Sequence, residues 1–368
     1  MSTDTLAKTD ERIKSESLAT KLMKRPELGA IGGVILVTIF FLITADRSMF
    51  TLSGIMNFMT PAAQLGILGI AAAMLMIGGE FDLSIGSMVA FAGMIFGVFT
   101  VNMGLPLILA IPLTIAFAAV LGAANGLIVI RTGLPSFIVT LAGLFVLRGA
   151  SLVGLKIFTG GATQLRGVRE AVASDFLTPI FSGDAFGFLF DWLAKAGVID
   201  AFKSGAPKVP GVPVEIIWFI LFALIATWVL LRTPFGNWIF ATGGDALAAE
   251  NSGVPVRRVK IMLFMLTATA AALVAIITVI DAGSTDARRG FMKEFEAIIT
   301  AVIGGCLLTG GYGSAIGAFF GAILFGMVTI GLTYTRFDQD WFQVFLGAML
   351  LIAVLFNNAI RKRVTGER

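Results

Sequence analysis

Two carboxylates stand close together between apolar stretches of the sequence. The segment GGEFDLS at residues 78–84 carries Glu80, Asp82 and Ser84, with no basic residue beside them. A charge at membrane depth is costly, so it is usually functional or paired within the protein. The paired glycines break a helix, an arrangement that transporters use at polar sites. Two interpretations stay open: these residues contact a permeating solute, or Asp82 caps a helix that starts near Ser84.

Four further side chains are candidates for the same translocation path. Arg148 lies inside the apolar stretch PSFIVTLAGLFVLRGASLV. It is expected to pair with one of the two carboxylates, or to extend its charged group to the outer membrane surface. Gln64, Phe137 and Thr140 complete the set, as residues within apolar runs.

The inventory of reactive side chains argues against catalysis. The chain has no histidine and a single cysteine, Cys306. This excludes a metal site built on histidine, a Ser-His-Asp triad and an intrachain disulfide. The sequence also lacks the phosphate-binding pattern GxxxxGK[ST] of ATPases. We therefore expect no enzyme activity, no metal and no cofactor.

Composition places these residues in a membrane. Of 368 residues, 57% are hydrophobic and 14% charged, and the mean hydropathy is +0.93. Soluble domains carry about 25% charged residues. A single soluble core of this length cannot bury so much apolar side chain. Apolar runs such as GVILVTIFFLIT have the length and lack of alternation typical of membrane helices, and the predicted fold class is an all-α integral membrane protein.

About ten transmembrane helices are predicted from apolar runs long enough to cross a bilayer. The eighth is short, with about 13 clean residues after Glu296, and is expected to be re-entrant or buried in the bundle. The ten candidates are roughly 28–44, 61–79, 84–102, 106–125, 135–155, 214–231, 261–281, 296–309, 314–333 and 339–357.

Basic residues orient the predicted spans. We expect a cytoplasmic N-terminal tail at 1–27, a transmembrane domain at 28–360 and a basic cytoplasmic C-terminal tail at 361–368. Within the domain, 159–213 forms an external loop and 232–260 a cytoplasmic one. The external loop contains the amphipathic stretch FGFLFDWLAKAGVIDAF, which either lies on the membrane surface or covers the path, or is an insertion without function.

A weak internal echo joins two distant segments. IGGEFDLSIGSMVAFAGMIFG at 77–97 and IGGCLLTGGYGSAIGAFFGAILFG at 303–326 share Ile-Gly-Gly, then Gly-Ser, then a glycine-spaced apolar helix. Transporters often contain such repeats, with the substrate site between the halves. Similar composition of two glycine-rich hairpins is the alternative explanation.

The cytoplasmic loop contains a short helix pattern, ALAAENSG. Asp245 is placed to cap its start and Gly253 to end it. A helix on such a loop can serve as a docking element for another protein.

Four segments then resemble one family. GGEFDLSIGS, LPSFIVTLAGLFVLRG, FGNWIFATGGDALAAENSGVPVRRVK and FEAIITAVIGGCLLTGGYGSAIGAFFGAIL are similar to the permease subunits of bacterial monosaccharide ABC importers. These are the ribose, xylose, fructose and galactose type, and the resemblance runs from about residue 50 to 360. The family usually shows Gly-Gly-Ile-Asp-Leu-Ser where this chain has residues 78–84. Glu80 is an additional acid, which leaves the substrate open among pentoses, hexoses and polyols.

The resemblance implies a division of labour. Such permeases work in pairs, here expected to be a homodimer, in the bacterial inner membrane. Each pair sits on two cytoplasmic ABC ATPase subunits and receives sugar from a periplasmic sugar-binding protein, with no nucleic acid involved. The family's coupling helix, which docks the ATPase, corresponds to Gly243, Gly244, Asp245, Ala248, Ala249, Ser252 and Gly253.

One alternative of a different class remains. An ion-coupled secondary transporter could use Glu80 and Asp82 as ion carriers and would need no partner. The likeness to a coupling helix argues against it.

Overall fold

The computed structural model describes residues 27–365, with side chains up to residue 352 and those of 354 and 355. The expected N-terminal tail therefore lies outside the described residues except for Glu27, as do residues 366–368 of the C-terminal tail. The described chain is mainly helical with very little strand, which confirms the all-α class.

Fifteen helices and four very short strands follow one another in the described chain. The helices are α1 Glu27–Thr44, α2 Leu52–Ile77, α3 Ile85–Gly97 (continued as a π-turn through Val98–Asn102), α4 Leu107–Thr132, α5 Ser136–Phe158, α6 Val168–Val172, α7 Thr178–Phe181, α8 Gly187–Lys195, α9 Val214–Arg232, α10 Pro234–Gly244, α11 Ala246–Asn251, α12 Val256–Ala282, α13 Lys293–Ile303, α14 Ala315–Gly331 and α15 Trp341–Thr365. The strands are β1 Gln164–Arg166, β2 Asp184–Ala185, β3 Val212–Pro213 and β4 Ser284–Asp286.

Eight helices in the described range are long and apolar enough to cross a membrane. They coincide with eight of the ten candidate spans. The short eighth candidate is α13, an 11-residue helix of about 17 Å, roughly half a bilayer core. The tenth candidate lies within α15, whose apolar part is Trp341–Ile352. Ten crossings thus stay a prediction.

Two boundaries differ most from the expected ones. The second span begins at Leu52 and not at 61, because Thr51 caps the helix by accepting the amide of Gly54 and the helix runs through Pro61. At the other end, α15 continues to Thr365, so the backbone of the basic segment from 361 to 365 is helical. Local capping extends helices beyond the apolar run that identifies them in sequence.

Helices α2 and α12 form the centre of the bundle, with 83% and 72% of their apolar windows buried. Small residues allow this close packing. Gly66 faces the ring of Phe219, and Gly69 faces the side chain of Thr300. The first span, α1, is 17% buried and lies at the edge.

The strands lie at one end of the bundle, which we name the β end. Strand β1 pairs antiparallel with β4, and β2 with β3. The first pairing ties the 159–213 loop to the segment that follows α12. In the amphipathic stretch, α8 leaves Phe188 and Trp192 77% and 62% exposed. The opposite end carries α10 and α11, and we name it the α11 end.

The internal echo has the same local structure in both copies. After α2 and after α13, three successive amides donate to carbonyls four, three and five residues back. Gly79 and Gly305 take left-handed φ of 85° and 90°, which glycine tolerates without strain. The two breaks also touch, because the amide of Gly311 donates to the carbonyl of Ile77 at 2.8 Å. Each copy is thus a helix, a glycine break and a second helix.

Candidate functional site

The carboxylate of Glu80 is paired inside the bundle. Its Oε1 lies 2.5 Å from Nζ of Lys260, in the second turn of α12. Glu80 is 7% exposed, and the Lys260 side chain 21%. Glu80 therefore does not pair with Arg148, which was one of the two alternatives left open for that arginine. In the sequence, Lys260 lies in the predicted cytoplasmic loop. In the structure α12 already starts at Val256, so Lys260 is part of this helix.

Asp82 accepts three hydrogen bonds and is 6% exposed. The hydroxyl of Thr267 on α12 donates to its Oδ2 at 2.6 Å. The amide and hydroxyl of Ser84 donate to Oδ1 at 2.9 and 2.5 Å. Helix α3 begins at Ile85, and Ser84 makes no side-chain capping bond of its own. Asp82 therefore fixes the turn that starts α3, as one of the two sequence interpretations expected.

The backbone between the two carboxylates is held by α5. The amide of Phe81 donates to the Ser136 hydroxyl, and the amide of Leu83 donates to the Thr140 hydroxyl, both at 3.0 Å. On the other side, Asn125 of α4 donates to Ser84 Oγ at 3.1 Å. These contacts satisfy backbone groups that a broken helix leaves free.

One hydrogen-bonded cluster therefore joins α3, α4, α5 and α12, and we name it the break network. Its members are Glu80, Asp82, Ser84, Asn125, Ser136, Thr140, Lys260 and Thr267. Sequence reasoning found four of these eight. Of the others, Asn125 and Thr267 are polar side chains within apolar runs, Ser136 stands at the start of one, and Lys260 follows two arginines in the predicted cytoplasmic loop.

A cavity of about 360 Å³ opens beside the Glu80–Lys260 pair at the α11 end. It is lined by the end of α4, the start of α5 and the start of α12, including Arg257. The pair is thus reached from this end, while Asp82 and Thr140 are closed off by packing.

The remaining path candidates are not brought to this network. Gln64 donates to Glu215 at 3.5 Å, on the contact between α2 and α9. Phe137 is 50% exposed on the outer surface. Arg148 does not pair with a carboxylate of the break, because its Nη2 lies 3.2 Å from Oε1 of Glu294 in α13.

The second candidate region is the loop between α9 and α12. Asp245 has an extended backbone between α10 and α11, and its Oδ1 accepts the amide of Ala248 at 2.9 Å. Gly253 follows α11 with φ 86°. The local structure predicted for ALAAENSG is therefore confirmed. Leu247 points outward and is 70% exposed, while Ala249 is 5% exposed and packs inward.

Gly243 differs from the other residues of this region. A Cβ at Gly243 would lie 1.8 Å from the carbonyl oxygen of Ile77 and 2.7 Å from the amide of Gly311. A Cβ at Gly310 would lie 2.8 Å from Cα of Gly79. The last turn of α10 thus touches both helix breaks backbone to backbone. We name this contact of Gly79, Gly243, Gly310 and Gly311 the glycine junction.

Comparison with known proteins bears on what this arrangement serves. Residues 54–354 match a family model described as the permease component of the branched-chain amino acid transport system. The chain belongs to this permease family.

Several individual relatives are permease proteins of sugar or ABC transport systems. The permease is 30% identical to the xylose transport system permease protein XylH of Escherichia coli K12, over 90% of this chain and 92% of that protein. It is 28% identical to the ribose import permease protein RbsC of the same strain, over 95% and 99%. A third relative is the inner membrane ABC transporter permease protein YjfF, at 29% over 89% and 90%.

These matches make the chain a permease subunit of the monosaccharide ABC importer class. It is a multi-pass protein of the inner membrane and a transport component, not an enzyme. ATPase and binding-protein partners are implied by that membership.

The cap on α11 of the permease gives a local prediction. Asp245→Ala removes the acceptor for the Ala248 amide, and the loss of such a cap costs about 1 kcal/mol of helix stability. We expect amide hydrogen exchange in residues 246–251 to speed up several-fold while the transmembrane helices keep their protection. Asp245→Asn retains an accepting oxygen and is expected to exchange as the parent does. Equal exchange in Asp245→Ala and the parent would contradict the cap.

Proposed function

We propose that this permease conducts a monosaccharide (a pentose, a hexose or a polyol) across the inner membrane under the control of ABC ATPase subunits docked on α11. The observation that carries the proposal is the exposed, capped helix α11. Its Leu247 side chain is 70% exposed beside Ala248, Glu250 and Ser252, which are also exposed. An apolar side chain on a rigid turn is a natural anchor for a pocket in a partner.

The α11 end then faces the cytoplasm, as do both termini, with ten spans in all. The β end faces the binding protein. The binding protein docks in this proposal on segments 159–213 and 283–295. The pairing of β1 with β4 joins these two segments, which supports a shared docking surface. Two copies of the chain form the pair.

The break network acts in this proposal as a support and not as the lining of the path. Glu80, Asp82, Ser84 and Thr140 are all under 9% exposed and hydrogen-bonded. They hold α3 to α5 and α12, so that these helices move together. We assign the exposed Phe137 to the surface that the second permease chain covers. Gln64 belongs to the contact between α2 and α9.

The same burial disfavours ion coupling through Glu80 and Asp82. A carrier carboxylate must exchange its ion with water on both sides of the membrane. Glu80 already has Lys260 as its counter-ion, and Asp82 accepts three hydrogen bonds from protein groups.

The test is co-purification of the ATPase with a permease variant. Leu247→Asp places a charge where an apolar anchor is proposed. We expect the amount of co-purified ATPase to fall at least about 30-fold, which is the scale of a hot-spot residue. Since Leu247 is exposed, the fold should persist, as judged by gel filtration and thermal unfolding in detergent. Disruption of residues 244–252 as a whole should have the same effect.

A matched variant separates docking from general damage. Phe188→Asp changes a side chain that is also exposed and apolar but lies at the β end. It is expected to retain the ATPase in full. Normal retention by Leu247→Asp would refute α11 as the docking helix.

A further inference from the structure

Charged side chains lie on a partly exposed surface near the middle of the bundle's length. Arg148 stands about 18 Å along α5 from Ser136 and about 15 Å from Phe158, so it is near mid-span. Beside it on α13, Lys293 and Glu296 form an ion pair at 2.6 Å with side chains 33% and 17% exposed. Lipid tails do not solvate such groups, and charges at this depth face protein or a water-filled cavity.

Three side chains on this surface form a compact cluster. Nη2 of Arg148 lies 3.2 Å from Oε1 of Glu294, and its Cζ stands 5.1 Å from the ring centroid of Phe291. A second guanidinium, that of Arg288, stands 6.0 Å from the same ring. Phe291 is 53% exposed and Glu294 1% exposed. The cluster thus presents an aromatic ring and cationic donors above a buried carboxylate.

The hydrogen bonding of the cluster is incomplete in the described residues. Oε2 of Glu294 is buried and has no partner there. It lies against Gly86 in the first turn of α3, where a Cβ would come within 2.0 Å of it. Buried polar atoms are nearly always satisfied, so an orphan oxygen requires an explanation.

The backbone around the cluster is strained. Met292, which precedes α13, has φ 66°, an uncommon value for a residue with a side chain. Gly290 has φ 77° and packs against the carbonyl oxygen of Gly86. Strain of this kind persists where surrounding structure enforces it and concentrates at ligand clamps and switches. Phe291 and Glu294 are therefore positioned by a tight turn whose backbone is strained at Met292.

A monosaccharide has the chemistry that this cluster can bind. Its hydroxyl groups donate and accept hydrogen bonds, and one face of its ring consists of C–H groups. Guanidinium N–H groups donate, and the face of an aromatic ring carries partial negative charge that attracts C–H groups. We propose that Arg148 and Phe291, with the Arg148 guanidinium held by Glu294, form a contact site for the sugar in transit, an inference that rests on the proposed function.

The site is weak by construction. One half-exposed ring and one guanidinium that is already paired with Glu294 give little affinity, which allows the sugar to leave. Changes here alter the rate of uptake and leave the sugar affinity of the binding protein unchanged. This separates the contact site from the step that selects the sugar.

The first test is sugar uptake by the complex of permease, ATPase and binding protein in proteoliposomes, with D-xylose and D-ribose tried first. Phe291→Ala is expected to lower uptake about 3- to 10-fold, the value of one aromatic contact. ATPase co-purification should stay at the parent level. Trp228→Ala removes another exposed aromatic side chain, on α9, and is expected to leave uptake unchanged.

The second test measures water access directly. Cys306 is the only cysteine and is buried, so the parent offers little background to a charged methanethiosulfonate reagent. Phe291→Cys is expected to react, because only a thiol in contact with water ionises readily. Leu224→Cys, on the middle of α9 with 64% of Leu224 exposed, is expected to stay unreactive. Excess of the transported sugar should slow the reaction of Phe291→Cys, whereas sucrose should not.

The outcomes separate the two proposals. No reaction at Phe291→Cys, or equal reaction at Leu224→Cys, overturns the contact site. So does normal uptake by Phe291→Ala together with labelling that the transported sugar does not slow. If the parent complex binds no ATPase and accumulates no sugar, the proposed function itself fails, whatever Phe291 does.

Discussion

Lys260→Met is expected to destabilise the permease more than any other change at the break network. Methionine keeps most of the lysine volume but removes the cation 2.5 Å from Glu80. The carboxylate, 7% exposed, must then lose its charge or draw water into the bundle. Breaking a buried ion pair in this way costs about 3–5 kcal/mol. We expect this loss as a lower thermal midpoint and a lower yield of folded protein in detergent.

The two single variants of this ion pair should differ in stability. Glu80→Gln leaves Lys260 without a carboxylate, but the lysine side chain is 21% exposed and adjoins a cavity at the α11 end. Its ammonium group can therefore reach water while its stem stays packed. We expect a smaller loss for Glu80→Gln than for Lys260→Met.

A double-mutant cycle completes the measurement. In Glu80→Gln/Lys260→Met no charge remains to be buried, so stability should recover toward the parent. Additive losses in the double variant would contradict a direct interaction of the two side chains.

The positions of the membrane helices were largely predictable, because an apolar run of bilayer length has few other uses. Eight helices long enough to span coincide with eight candidate spans, and the short candidate before residue 309 is indeed the half-helix α13. Boundaries were less predictable. Helix α2 begins at Leu52, nine residues before the expected start at 61, because Thr51 caps it with a single hydrogen bond.

The partners of the polar residues were not predictable from sequence. Glu80 and Lys260 are 180 residues apart, and Arg148 and Glu294 are 146 apart. Their pairing depends on how helices stack, which residue spacing along the chain does not encode. The loop helix α11, by contrast, was predicted with its cap, because Asp245 and Ala248 interact across three residues.

Recognising the glycine junction requires both the sequence and the structure. The glycines of the two breaks stand out in sequence as an internal echo. That they meet Gly243 from the loop before α11 is visible only in three dimensions. The junction places the backbone of α10 directly on both breaks, so we expect a movement of α10 to be transmitted to α3 and α14.

Gly243→Ala and Gly244→Ala form a matched pair that tests this contact. A Cβ at Gly243 would lie 1.8 Å from the Ile77 carbonyl oxygen, whereas a Cβ at Gly244 meets nothing within 4 Å. Overpacking against backbone costs about 1–3 kcal/mol or more, since no side chain can rotate away. We expect Gly243→Ala to lower the thermal midpoint and to abolish sugar uptake.

Gly244→Ala should retain the stability of the parent or exceed it slightly, because alanine favours a helix over glycine by about 0.5–1 kcal/mol. Its thermal unfolding therefore controls for the added methyl group at the end of α10. Since both variants leave the exposed face of α11 unchanged, ATPase retained by folded Gly243→Ala would show that uptake is lost after docking, at the junction itself. Equal stability and equal uptake in the two variants would contradict the junction as a contact between α10 and the helix breaks.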